Sequence, residues 1–181
     1  MPSAVFPEDF LTQRLRARRM SQAHLPFITE MHANADLMAS MGGTRDAAAS
    51  RRYMAQNLTH WTEYGYGMYV LDDRDTGLPA GRAGLKVSTS GGRTGIELAY
   101  ALHPDFWGKG FAPEVSRVLI ALGFRLLPVD MLGAVALLSN TASRRVLEKT
   151  GMRYVGMTSD TPEPKVRYEI RRAEWRKLEG A

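Results

Sequence analysis

The chain of 181 residues is 44% apolar and 24% charged, an ordinary globular composition with length enough for one domain, residues 1–181, around a core of its own. Its formal charge of +5, from 24 Lys and Arg against 19 Asp and Glu, favours anionic partners only weakly. No apolar run approaches the roughly 20 residues of a membrane span, the opening MPSAVFPEDF has neither the basic nor the apolar region of a secretory signal, and the lack of cysteine excludes disulfides, thiolate metal sites and a cysteine nucleophile and fits a cytoplasmic location.

Residues 11–19, LTQRLRARR, alternate Leu15 and Ala17 with arginines, as a half-exposed strand does. Residues 22–38 read as a helix in which Pro26 must lie in a first turn or break it. Asp46 is a plausible N-cap for a second helix running through Trp61. GYGMYVLDD and PAGRAGLKVS follow as two strands of a hairpin, with Asp75 and Gly77 supplying the turn. TGIELAYALHP is a strand ended by the turn at His103, Pro104 and Asp105, and a helix spans about 110–126 with Pro113 in its first turn and an apolar stripe of Val115, Val118, Leu119 and Leu122. MLGAVALL is apolar almost throughout, as a strand buried on both faces is. Asn140 caps a short helix, TASRRVLEKT, and Gly151 suits the left-handed residue that ends it. MRYVGM and PKVRYEIRR complete the set as strands. The order β-α-α-β-β-β-α-β-α-β-β predicts an α/β (α+β) domain whose sheet is antiparallel early and mixed later. The basic excess, in Arg14, Arg16, Arg18 and Arg19 and in Arg171, Arg172, Arg176 and Lys177, reads first as solvated faces.

The stretch HPDFWGKGFAPEVSRVL places two glycines and a lysine at the mouth of the long helix. A helix start leaves unpaired N–H groups with a partial positive charge, and glycines let a ligand approach the backbone closely. The amides of Gly108, Lys109, Gly110, Phe111 and Ala112 can therefore cradle a phosphate, or the loop is simply a turn that needs positive φ. It is no P-loop, because Lys109 is followed by Gly110 and Phe111. Nor is it a dinucleotide fingerprint, because Pro113 stands at the third glycine and the motif comes late in the chain.

The string ELAYALHPDFWGKGFA, followed about 30 residues later by NTASRRVLEKTGM, resembles the GCN5-related N-acetyltransferase (GNAT) family, and within it the ribosomal-protein N-terminal acetyltransferases. The family's pyrophosphate motif is [QR]-x-x-G-x-[GA]; Trp107 takes its first position here, Gly110 its fourth and Ala112 its sixth. The resemblance extends from the opening RLRARRM to the closing RYEIRRAEW. It implies the family fold, a mostly antiparallel mixed sheet flanked by helices, with acetyl-CoA as cosubstrate. The CoA phosphates would lie on the amides of residues 108–112. The pantetheine arm would lie in a V-shaped gap between strands 95–102 and 131–138, pairing with the backbone of Tyr100, Ala101 and Leu102 as an added strand would.

Acetyl transfer to an amine needs a base, because an alkylammonium of pKa about 10 has no lone pair at pH 7. It needs a donor to the oxyanion, which the family takes from the backbone near Leu102, and a proton for the departing thiolate. No covalent enzyme intermediate is required. Glu97, the lone carboxylate in an apolar strand, is the candidate base, directly or through water; its bland alternative is a glutamate facing solvent or paired with an arginine. Asn140 matches the family asparagine that contacts the CoA arm. The family's usual acid, a tyrosine four residues before the closing glycine, is replaced by Leu147. Ser143 lies one turn earlier on the same face. The resemblance to the ribosomal-protein branch, whose N-x-x-S variant it matches, implies that it serves there, as proton donor or only as a hydrogen bond to the sulfur. Its bland alternative is a first-turn helix residue, and Tyr154 and Tyr168 stand behind it. His24, His32, His60 and His103 show no metal spacing; His103 adjoins the CoA loop. Trp61, Tyr64, Tyr66 and Tyr69 are core residues or line the acceptor pocket.

The resemblance implies a primary amine as acceptor, a protein α-amine or a small molecule, read in this family by the first two helices and the loop between them, here ADLMASMGGTRDAA. That segment holds only Asp36 and Asp46 as acids, which argues against a polyamine. A CoA-binding sensor without activity and a nucleic-acid or ribosome-binding module are the alternatives. Against the second, no Lys/Arg block exceeds two residues and no aromatic platform accompanies them. Monomer and homodimer are both compatible with the sequence.

Overall fold

The computed structural model describes residues 6–90, 92–158 and 162–180. The alternation in LRARR does what it predicts: Leu15 and Ala17 are fully buried in strand β2 (Leu15–Arg19). The single strand expected over 11–19 is instead a hairpin with β1 (Asp9–Leu11). Thr12 makes the turn, its amide donating to the Leu15 carbonyl at 2.9 Å and its hydroxyl accepting from the Leu15 amide at 2.9 Å. The helix expected over 22–38 is also divided. Gln22–His24 is a 3₁₀ turn, and α1 (Leu25–Ala33), with Pro26 in its first turn, ends at Asn34, whose extended backbone stops the helix. The Asn34 side chain then caps α2 (Ala35–Met38) by accepting from the Leu37 amide. Asp46 caps α3 (Ala47–Tyr64) as expected, and Gly65, at φ 72°, terminates it three residues beyond Trp61.

The remaining strands are β3 (Met68–Asp73), β4 (Pro79–Ser90), β5 (Arg93–Leu102), β6 (Met131–Leu137), β7 (Arg153–Thr158) and β8 (Lys165–Arg171). They join β1 and β2 in one sheet of order β1-β2-β3-β4-β5-β6-β8-β7. Every neighbouring pair is antiparallel except β5 and β6. That parallel pair requires a crossover, which α4 (Phe111–Leu126) provides. The mostly antiparallel mixed sheet flanked by helices is the architecture the sequence predicts.

Two apolar clusters cover the sheet. Period-two alternation in β3 sends Met68 and Val70 into the cluster built by α1, α2 and α3, and Tyr69 and Leu71 into the one built largely by α4. Helices α5 (Thr141–Lys149) and α6 (Arg172–Glu179) complete the fold. The sequence reading did not foresee α6. Its Trp175 packs on Phe124 with ring centroids 5.3 Å apart, and the Arg172 guanidinium bonds the carbonyls of Leu127 and Val129 beyond the end of α4.

Candidate active site

Strands β5 and β6 share one register pair, Glu97 with Gly133, and form no other beyond it. A charged chain fastens that point. Arg167 of β8 reaches over β6 and its Nη1 donates to Glu97 Oε1 at 2.8 Å, while its Nε donates to Glu169 Oε1 at 2.8 Å. A glycine at 133 leaves room for this, because a Cβ there would stand 2.8 Å from Arg167 Nη2. Burial works against the Arg167 charge, but the bonds from Glu169 and Glu97 outweigh it and raise the pKa of the guanidinium.

Past Glu97 a cavity of about 380 Å³ opens between the strands. Leu98, Ala99 and Tyr100 of β5 line one side, Ala134, Val135 and Leu137 of β6 the other, and Ser143 and Leu147 of α5 close it. Asn140 caps α5, its side-chain oxygen accepting from the Ser143 amide at 3.0 Å. The Tyr100 hydroxyl donates to the Ser143 carbonyl at 3.0 Å and lies 2.9 Å from Ser143 Oγ. Burial pushes the Tyr100 phenol up to about 12, partly opposed by its bond with Ser143. The far end of the cavity is polar and cationic, with Met41 and Arg45 before α3, Tyr53 on α3, and Arg82 and Lys86 on β4.

The glycine loop leaves the C-terminal end of β5. Trp107 anchors it by donating Nε1–H to the Leu102 carbonyl at 2.8 Å. Gly108 and Gly110 have φ of 73° and 78°, the left-handed conformation that other residues adopt at a cost. Phe111 and Ala112 open α4, so their amides have no acceptor within the helix. Lys109 Nζ sits 4.7 Å from the centre of the Phe106 ring. Arg14 borders the loop: Nη1 donates to the Lys109 carbonyl at 2.7 Å, and Nη2 pairs with Glu114 at 2.7 Å. Burial tends to raise the Glu114 pKa, but bonds from Thr12, the Arg14 amide and its guanidinium hold it below the usual range. Glycine backbone and open amides, with Lys109 beside them, fit a diphosphate.

Residues 14–153 match the family model of the acetyltransferase (GNAT) domain. The chain belongs to this family. It is 28% identical to the uncharacterized protein YkkB of Bacillus subtilis (strain 168) over 145 residues, 80% of this chain and 84% of that one. Its fold superimposes on the acetyltransferase of Agrobacterium tumefaciens str. C58 with a TM-score of 0.80 at 23% identity, covering 92% and 95% of the two chains. It also matches RimL, a ribosomal L7/L12 α-N-protein acetyltransferase, with a TM-score of 0.76 at 16% identity, covering 92% and 99%.

In this GNAT acetyltransferase Glu97, Tyr100, Ser143 and Leu147 meet at the notch. Asn140 stands beside it as the α5 cap, and residues 107–112 lie outside the cavity lining. The Ala101 and Leu102 side chains are in the core, Ala101 and Leu102 pair with β4 on one side, and the Leu102 carbonyl is taken by Trp107. Tyr168 is turned away, its hydroxyl donating to Glu148 at 2.9 Å, and Tyr154 is exposed. Neither lines the cavity. Trp61, Tyr66 and Tyr69 are core, Tyr64 is exposed, and the aromatic residue at the far end of the cavity is Tyr53. His32 and His60 are structural: His32 Nδ1 lies 2.9 Å from Ser50 Oγ, and His60 bridges α3 to β4. Sequence reasoning missed Arg45, Tyr53, Arg82 and Lys86. Only the poverty of acids in the loop before α3 hinted at a cationic end.

Among the described residues no helix is long and apolar enough to cross a membrane. The family performs acetyl transfer, and this chain is an acetyl-CoA-dependent acetyltransferase acting on amines.

Proposed function

We propose that the chain moves the acetyl group of acetyl-CoA onto a primary amine by direct attack in the notch between β5 and β6. The observation that carries this reading is the single-pair junction of those strands beside the glycine-bracketed start of α4. The bound cosubstrate supplies an activated thioester. Amides of residues 108–112 hold its diphosphate, helped by Lys109, and the backbone of Tyr100 to Leu102 aligns the arm as an added strand. Glu97 receives the amine proton, directly or through water. Its Oε1 is engaged by Arg167, so Oε2 is the acceptor. The amine nitrogen bonds the acetyl carbon, the carbon–sulfur bond breaks, and the sulfur leaves as thiolate, to which Ser143 presents its hydroxyl. The acceptor is a protein α-amine, as in the ribosomal-protein branch, or a small molecule.

Release of free thiol from acetyl-CoA on adding amines and N-terminal peptides tests the reading directly. Glu97→Gln keeps an acceptor for Arg167, so it should fold, bind acetyl-CoA normally and lose about a hundredfold in kcat. A normal kcat with a lowered Tm would reduce Glu97 to a structural partner of Arg167.

A further inference from the structure

The acceptor end of the cavity is built for negative charge. Its lining carries Arg45, Arg82, Lys86 and Lys165 against two carboxylates, Glu97 and Glu163. Glu97 is already held by Arg167. Arg82 is the telling member. It is only 7% exposed, yet it forms no ion pair with any described residue. Nη1 donates to the Tyr53 hydroxyl, Nη2 reaches only the Met41 sulfur at 3.7 Å, and Nε is buried with no partner. Elsewhere this chain seats partly buried guanidinium groups on carboxylates, Arg14 on Glu114, Arg18 on Asp72 and Arg167 on Glu97. A buried cation without an anion is costly and calls for one.

Arg82 is also not alone. Its guanidinium lies 4.5 Å from the centre of the Tyr53 ring, and that of Arg45 lies 5.8 Å from the same ring. Lys86 follows on β4 at the same face, two pleats along. Burial first, then Arg82, hold the Lys86 ammonium below its usual pKa; Glu97 opposes them, and Arg45 adds a smaller push in the same direction. Burial and Arg82 act likewise on Arg45. Each of these cations would gain from an anion among them. At about 380 Å³ the cavity must admit the reacting end of the cosubstrate as well, so the acceptor is small.

We propose that the acceptor is a small amine that carries a carboxylate, an amino acid or its close kin, with the carboxylate gripped by Arg82, Arg45 and Lys86 and the amine directed into the notch. This rests on the acetyl-transfer reading above and narrows its substrate. Arg82 supplies a planar fork suited to a carboxylate, Tyr53 holds the fork in place, and the same cations repel a polyamine.

The test sets α- and ω-amino acids each against its own carboxamide, with spermidine and free tripeptides alongside. Thiol release from acetyl-CoA gives kcat/KM, and calorimetry gives binding. At least one amino carboxylate should exceed its amide by about tenfold or more, the scale of a charge-assisted contact. Arg82→Gln and Arg45→Ala should abolish that preference while acetyl-CoA binding is retained. Should Arg82→Gln fold poorly, Arg45→Ala, on the loop before α3, decides alone.

Amides or spermidine used as well as the carboxylates, acceptance of tripeptides only, no binding by any compound, or a preference that survives both substitutions would overturn the proposal. Failure of the two readings looks different. A carboxylate preference in binding, lost in Arg45→Ala but without thiol release from any amine, would leave the anion site standing and remove the transfer. Rapid acetylation of spermidine would do the opposite.

Discussion

Ser143 and Tyr100 divide one task by hydrogen-bond direction. The Tyr100 proton is committed to the Ser143 carbonyl, which leaves the serine hydroxyl to turn its own proton toward the Tyr100 oxygen or into the notch. A phenol raised to about 12 stays protonated across the working range, so the arrangement does not change with pH there. In the transfer proposed above, this pair stands in for the tyrosine that Leu147 replaces. Ser143→Ala should lower kcat by about tenfold or more with little change in acetyl-CoA affinity. Tyr100→Phe should lower it less, and the double variant should fall short of the product of the two, because both act through one bond. Steady-state kinetics of the three variants checks this; full multiplicativity would separate the two residues.

At the scale of elements, the start of α4 was the most legible part of the chain, because its constraints are local. Glycine, lysine, glycine and a first-turn proline dictate the loop whatever surrounds them, and φ values of 73° and 78° at Gly108 and Gly110 are what the motif implies. Asn140 and Asp46 were legible for the same reason, each acting as a cap through its own side chain. The split of β1 from β2 and the break at Asn34 were hidden, since each depends on a side chain bonding a nearby amide in a stretch whose apolar pattern runs on. Helix α6 was hidden because its polar residues read as a tail until Trp175 finds Phe124. The cationic end of the cavity was hidden more deeply, because Arg45 and Arg82 meet only when α3 packs beside β4 and both reach Tyr53. The positive φ makes Gly110 a sharp test of the loop. Gly110→Ala should cost about 1–2 kcal/mol in stability and bring a Cβ to 3.4 Å from Arg14 Nη2. KM for acetyl-CoA should rise severalfold while kcat at saturation is retained. An unchanged KM would take the diphosphate away from this loop.

Across the whole molecule, helix α3 is tied to the sheet through one histidine that must stay neutral. His60 Nδ1 donates to the Tyr66 carbonyl at 2.9 Å while Nε2 accepts the Val87 amide at 2.9 Å, so one imidazole bonds both the loop after α3 and strand β4. A second proton would occupy Nε2 and break the bond to Val87. His32, fully buried under α3, is held down to about 4 by burial and by the charges of Arg82 and Arg45. Burial likewise lowers His60 and His24 below the ordinary 6.5. Between those limits the unfolded chain takes up protons that the native fold refuses, so stability rises with pH through this window and is lost as pH falls. Tm should therefore be level above about pH 7 and fall steadily as pH is lowered from about 6.5 toward about 4. Ordinary carboxyl groups take up protons only near the bottom of that range, at about 4, so the early part of the fall belongs to the histidines. Replacing His60 by Gln, which can still present a donor and an acceptor, should flatten it in calorimetric scans at constant ionic strength. An equally steep fall in His60→Gln would transfer the acid sensitivity to His32 and His24, with the α3–β4 bridge playing no part in it.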